Sequence, residues 1–239
     1  MSEDIHHEHH EEASRGAALR NFVFGTSDGL VTVLAFVAGV SASLAARKLV
    51  LMAGLAEMFA GAVSMGLGAF LGTRAERDWY DRERRREEHE VEKIPHLEKE
   101  ELREIYRKKG LEGETLERVV DVFTANEQRW VDIMMSEELG LQPVESSPWS
   151  AGLIVGFSYI VAAAVPLLPY LFFAGTRALL GSMAVTAVAL YGVGVAKARI
   201  TQRPELRSGI ETMMTGLIGT GVCWGIGRVV AIVAGSVAS

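Results

Sequence analysis

Cysteine is nearly absent. Cys223 is the only one among 239 residues, which excludes a disulfide framework or a cysteine-based zinc site within one chain. A basic segment ahead of the first apolar run is also missing. The opening MSEDIHHEHHEEASRG is polar and acidic, so a cleaved secretory signal is not expected. Paired Glu-x-x-His motifs, which build di-iron oxidase and storage sites in helical bundles, are lacking as well. The single match runs from Glu3 to His6 in the polar start, so the sequence argues against a membrane-anchored iron oxidase or store. Most telling is the scarcity of charge over several long stretches of a chain that is 23% charged overall.

A helix crossing the hydrocarbon core needs roughly 20 mostly apolar residues. Five stretches qualify: 22–46, 49–72, 150–171, 177–196 and 209–236. The first two are separated by a few residues around Arg47 and Lys48 and are predicted to form a tight antiparallel hairpin. Pro166 and Pro169 are expected to kink or end the third span, because proline cannot donate its backbone hydrogen bond. Of the 24 Lys and Arg, 20 fall in the N-terminal segment, in residues 73–149 or in 197–207. The other side carries Arg47, Lys48 and Arg177, with Arg228 inside the last span. That asymmetry places the N-terminus and the charged block in the cytoplasm and the C-terminus on the opposite side. Gly54, Gly61, Gly68 and Gly72 recur near one face of the second span, where small residues let helices approach closely in lipid.

Asp28 and Glu57 interrupt the first and second spans. An ionised carboxylate facing lipid costs at least ~2.5–3.5 kcal/mol, so both are expected to face protein or a wet cavity, as residues of ion or proton pathways do. The plainer readings are a helix-entry residue for Asp28 and a structural hydrogen bond for Glu57. Met65 follows Glu57 by eight residues and can border the same cavity. Its thioether biases a site toward transition metals and away from Mg²⁺ or Ca²⁺, although methionine is also an ordinary core filler. Glu211 opens the fifth span, where a helix N-terminus also favours a negative charge.

Residues 73–149 hold 21 Asp and Glu against 14 Lys and Arg. The second span is predicted to continue as a charged helix to about Val91, with a second helix over 97–109 after Pro95. A third amphipathic stretch is predicted up to Leu139, with Gly110 and Gly140 as stops. Glu87 and Glu90 are three residues apart, as are Glu98 and Glu101, so each pair projects from one helix face. Pro95 allows the two helices to fold together, and Met134 and Glu138 can add a third side. Carboxylates with one sulfur suit Fe²⁺ or Mn²⁺ better than Zn²⁺; the alternative is a solvated helix laced with Glu–Arg pairs. His89 and His96 read as surface residues, and the HHEHHEE run as an unstructured acidic tail.

Taken together, SDGLVTVLAFVAGV, GLAEMFAGAVSMGLGAFL, the glutamate-rich insertion and WVDIMMSEELGL resemble the vacuolar iron transporter family over about residues 17–236. The resemblance implies an all-α, polytopic protein with five transmembrane helices and a cytoplasmic helical metal-binding domain inserted between spans 2 and 3. The chain then divides into a polar His/Glu-rich tail (1–20), whose histidine-rich start the resemblance does not cover, transmembrane helices 1 and 2 (21–72), the metal-binding domain (73–149) and transmembrane helices 3 to 5 (150–236). It further implies a homodimer in the bilayer that exchanges cytosolic Fe²⁺, or Mn²⁺, for protons along a path between the subunits. Asp28, Glu57 and Met65 match that path; Glu87, Glu90, Glu98, Glu101, Met134 and Glu138 match the cytoplasmic metal cluster. The metal is then cargo. No permanently bound cofactor, enzymatic activity or nucleic-acid partner is expected. A non-transporting metal sensor is the remaining alternative, in which Asp28 and Glu57 have no evident purpose.

Overall fold

A computed structural model describes the backbone of residues 2–43 and 46–237, with side chains for 15–41, 46–226, 229 and 232. All its regular structure is helical. The helices are α1 (Ser2–Ser43), α2 (Arg47–Lys93), α3 (Pro95–Lys108), α4 (Gly113–Thr124), α5 (Glu127–Glu137), α6 (Pro148–Ala164), α7 (Leu168–Phe172), α8 (Gly175–Ile200) and α9 (Glu205–Val237). Two compact units result: Met1–Leu71 together with Ser146–Ser239, and Gly72–Glu145.

Four stretches among the described residues are helical, long and apolar enough to cross a membrane: Arg15–Ser41, part of Arg47–Lys93, Pro148–Phe172 and Gly175–Ile200. The fifth expected span falls on α9, several of whose side chains lie outside the described residues. The side chains of the HHEHHEE run also lie outside them; its backbone continues α1 as helix instead of forming the expected unstructured tail.

The first unit is built around Val33 and Val37 of α1, Met58 and Ala62 of α2, and Tyr159 and Ala163 of α6, with Leu167 and Tyr170 closing one end. Much of its outer surface is apolar: Phe157, Leu153, Leu67 and Val188 are all more than half exposed. A helix bundle with greasy side chains outside and hydroxyls inside suits a lipid solvent. Two interior serine hydroxyls bond to backbone carbonyls. Ser182 Oγ donates to the Pro166 carbonyl (2.7 Å) and Ser208 Oγ to that of Gly194 (2.9 Å). Pro166 and Pro169 do not end the third span outright. They tighten it into a 3-10 turn, Val165–Leu167, before α7 resumes, and the Ser182 hydroxyl satisfies a carbonyl in that turn.

Of the four recurring glycines of α2, Gly54 abuts Leu167 and Val37 and Gly61 abuts the Tyr159 ring, while Gly68 and Gly72 face open space. At Gly66, α2 meets the backbone of α6. A Cβ there would stand 3.0 Å from the Gly152 carbonyl oxygen, and one at Gly152 would stand 2.8 Å from that of Gly66. Backbone cannot yield as a flexible side chain can. Gly152→Val is therefore expected to destabilise the bundle by about 1–3 kcal/mol, measured as a fall of several degrees in the melting temperature of the detergent-solubilised protein.

In the second unit, the charged part of α2 packs with α3, α4 and α5 around Val91, Leu102, Leu116, Val120, Trp130 and Met135. Ion pairs tie the helices at the surface: Arg84 to Asp132 (2.7 Å), Lys99 to Asp121 (2.7 Å) and Arg103 to Glu117 (3.0 Å). Pro95 stands at the first turn of α3, and Gly110 and Gly140 take positive φ of 93° and 64° after α3 and α5, as helix stops require. The predicted third stretch is in fact two helices. Asn126 caps the second of them, its side-chain oxygen accepting from the Arg129 N–H at 2.9 Å. That satisfies an orphan donor of α5 and makes the break favourable.

Candidate metal centre and membrane carboxylates

The end of α2 and the start of α3 are joined through Ile94 alone. The Ile94 N–H bonds to the Glu90 carbonyl (2.8 Å), and the Ile94 carbonyl accepts from the Glu98 N–H (3.3 Å). Pro95 lacks the N–H that would continue α2, so the chain reverses and the carboxylates of the two helices converge. Glu87, Glu90 and Glu98 have oxygens all within 4.8 Å of one another, as do Glu98, Glu101 and Glu138. Glu98 belongs to both triplets. Glu138 follows α5, where its N–H bonds to the Met134 carbonyl at 3.0 Å. Met134 itself is fully buried in the apolar core of this unit.

Glu87 and Glu98 are buried, and each keeps one carboxylate oxygen without a hydrogen-bond partner among the described residues. Buried polar atoms are normally satisfied, and leaving a charged one unpaired is costly. Burial, followed by the charges of Glu101, Glu87, Glu90 and Glu138, pushes the Glu98 carboxyl up to about 7. Glu138 is also pushed up to about 7, by desolvation and then by Glu87 and Glu101, with Arg86 opposing. Glu87 is raised by burial, against which the hydrogen bond from Arg86 works. A group of acids in which Glu98 and Glu138 hold protons near neutrality, and Glu87 and Glu98 leave an oxygen unpaired, is chemically suited to a divalent cation, which needs several oxygen donors and replaces the protons. The alternative of a fully solvated, ion-paired helix holds for the outer face of α2. It does not describe Glu87 and Glu98.

His89 and His96 are exposed. His89 lines a separate surface cavity of about 530 Å³ with Arg85, Glu88, Glu92 and Glu127. Spacing does not single out Glu83, yet it is buried beside the cluster and pairs with Arg86 at 2.7 Å. Only its contacts distinguish it from the other acids of a charge run.

In the first unit Asp28 and Glu57 are both half-buried. The Asp28 carboxylate accepts from the Thr32 hydroxyl one turn on. It borders a cavity of about 500 Å³ with Ser27, Lys197 of α8, and Glu211, Thr212 and Thr215 of α9. Glu211 is not at a helix end, since α9 begins at Glu205; it pairs with Arg207 at 2.9 Å. Met65 packs, partly buried, against the core that contains Met58, Ala62 and Tyr159. Tyr159 is 1% exposed, its hydroxyl has no partner among the described residues, and it lies within electrostatic reach of both Glu57 and Asp28. A lone tyrosine in GFSYIVAAAV carries no periodic signal, so nothing in the sequence links it to the two acids.

The VIT family model matches residues 19–228. Vacuolar iron transporter 1 of Oryza sativa subsp. japonica is 40% identical over 228 residues, covering 94% of this chain and 90% of the relative. Vacuolar iron transporter 1 of Arabidopsis thaliana is 37% identical over 227 residues, covering 93% and 91%. The vacuolar iron transporter of Toxoplasma gondii is 34% identical over 244 residues, covering 97% and 80%.

Proposed function

The chain belongs to the VIT family, and from that premise we propose that it is a membrane transporter that carries Fe²⁺, and also Mn²⁺, out of the cytosol in exchange for protons, along a path where two copies meet. The observation that carries this reading is that Asp28 and Glu57 each lie within electrostatic reach of the unpartnered Tyr159 hydroxyl inside apolar helices. Half-exposed carboxylates on a bundle with a largely apolar outer face need a cover other than lipid. A second copy, applied to the same face, supplies it and doubles the number of acids around one axis.

The chemistry follows from the ligands. A metal ion requires deprotonated carboxylates, so its entry expels protons and protonation from the far side expels the metal. Met65 adds a soft donor that favours a partly dehydrated Fe²⁺ over Mg²⁺. Glu87, Glu90, Glu98, Glu101 and Glu138, with Met134, gather the ion from the cytosol and raise its concentration near the membrane. The excess of Lys and Arg on the N-terminal side supports a cytoplasmic N-terminus and metal-binding unit, with α9 as a fifth span.

Purified protein in proteoliposomes tests the proposal. Fe²⁺ influx, read by a trapped chelating dye, is expected to rise when the pH gradient is set to drive counter-flow of protons and to collapse with a protonophore. Flux indifferent to the gradient would remove the exchange, and no flux of Fe²⁺ or Mn²⁺ would remove the transport reading.

A further inference from the structure

One guanidinium sits among three of the acids. Arg86 Nη1 lies 2.7 Å from Glu83 Oε2, Nη2 lies 3.2 Å from Glu87 Oε1, and Nε lies 3.6 Å from Glu90 Oε2. Glu87 and Glu90 belong to a triplet whose oxygens can meet on one ion; Glu83 does not. From this we infer that Arg86 is a tethered cation that holds the carboxylate cluster when no metal is bound and is displaced onto Glu83 when metal enters.

Three features support the exchange. The ionic contacts grade in length from the non-ligand to the ligands, shortest to Glu83 and longest to Glu90, while the hydrogen bond to Glu87 is the one that the exchange has to break. The anchor carboxylate is buried, its side chain 5% exposed, whereas Arg86 is 47% exposed, which leaves its head room to move toward water. Arginine also cannot give up its proton, so it neutralises the crowded acids at every pH at which the protein works. With Arg86 on Glu87 Oε1 and the other Glu87 oxygen unpaired, the guanidinium and a metal ion compete for the same carboxylate charge. Binding is then an exchange of one cation for another, weaker than the carboxylate count alone implies, and a weaker site releases its cargo more readily.

This rests on the reading that the cluster binds metal, and the test separates the two. Mn²⁺ binding to the full-length, detergent-solubilised protein is followed by the loss of its free-ion spin-resonance signal, with helical content checked by circular dichroism. Arg86→Gln is expected to bind Mn²⁺ about tenfold more tightly, the scale of one charge-assisted hydrogen bond lost by the competitor. Arg86→Lys, which keeps the charge but cannot span three carboxylates, is expected to fall between it and the unaltered protein and serves if the glutamine variant misfolds. Glu83→Gln, which strands Arg86 on the ligands, is expected to weaken binding severalfold, and to have no effect in the Arg86→Gln background. Unchanged or weaker binding by folded Arg86→Gln, or an effect of Glu83→Gln that persists without Arg86, overturns the tethered-cation inference alone. If Glu98→Gln binds Mn²⁺ as well as the unaltered protein does, the cluster reading itself falls and the inference with it.

Discussion

Glu57→Gln and Asp28→Asn are each expected to reduce metal flux by roughly a hundredfold or more while leaving the protein folded. Losing even an outer partner of a metal ligand costs about 10–100-fold in affinity or activity, and these two carboxylates are proposed to touch the ion itself. Both substitutions preserve shape and remove only charge. In an apolar bundle that removal lifts a burial penalty of at least ~2.5–3.5 kcal/mol for the ionised form. The melting temperature is accordingly expected to hold or rise as flux disappears. Opposite movement of stability and activity is what separates a functional acid from a structural one: an acid retained for its hydrogen bonds would, on neutralisation, loosen the bundle as well. Asp28 is the sharper case, because its bond from Thr32 lies within one turn of α1 and survives in an asparagine. The measurement is initial Fe²⁺ uptake into proteoliposomes beside thermal unfolding of the same preparations. Flux within about threefold of the unaltered protein in either variant would place the pathway elsewhere.

The sequence makes these acids conspicuous because their surroundings are uniform. A carboxylate in GLAEMFAGAV stands out against apolar neighbours, whereas Glu83 in RERRREEHEVE does not, although it is as buried as Glu98. The glutamate cluster is legible for a different reason. Spacing of three fixes a helix face, and Pro95 dictates a reversal, so local rules alone place Glu87, Glu90, Glu98 and Glu101 together. The break at Asn126 escapes those rules, because apolar spacing runs through it and only a cap bond from Arg129 makes two helices preferable to one. Tyr159 escapes for want of any pattern. Its relation to Glu57 and Asp28 depends on the packing of α6 against α1 and α2, a long-range outcome that no short window contains.

The metal cluster is expected to lose affinity steeply with acid, on the order of a hundredfold for Mn²⁺ between pH 7.5 and 5.5. Glu98 and Glu138 are each raised to about 7, so at neutral pH each is about half protonated. An ion that needs both must expel up to two protons, and below pH 7 that requirement tightens with every step. Folding stability in the absence of metal moves the other way. A carboxyl whose folded value lies above its unfolded one holds a proton in the native state that the open chain has released, so its contribution is fully present below about 4.5 and is lost as pH rises through about 7. For buried Glu98 this amounts to a few kcal/mol at most, since each tenfold gain in proton affinity on folding corresponds to about 1.4 kcal/mol; Glu138 is largely exposed and contributes less. Other carboxylates titrate too, and the comparison that isolates Glu98 is a difference. Glu98→Gln, permanently neutral, is expected to match the unaltered protein in stability at pH 5 and to exceed it increasingly toward pH 8, while its Mn²⁺ affinity is low at neutral pH and depends less steeply on pH. Equal stability of the two at pH 8 would mean that Glu98 ionises without strain, and the proton-for-metal competition at this site would then lose its physical basis.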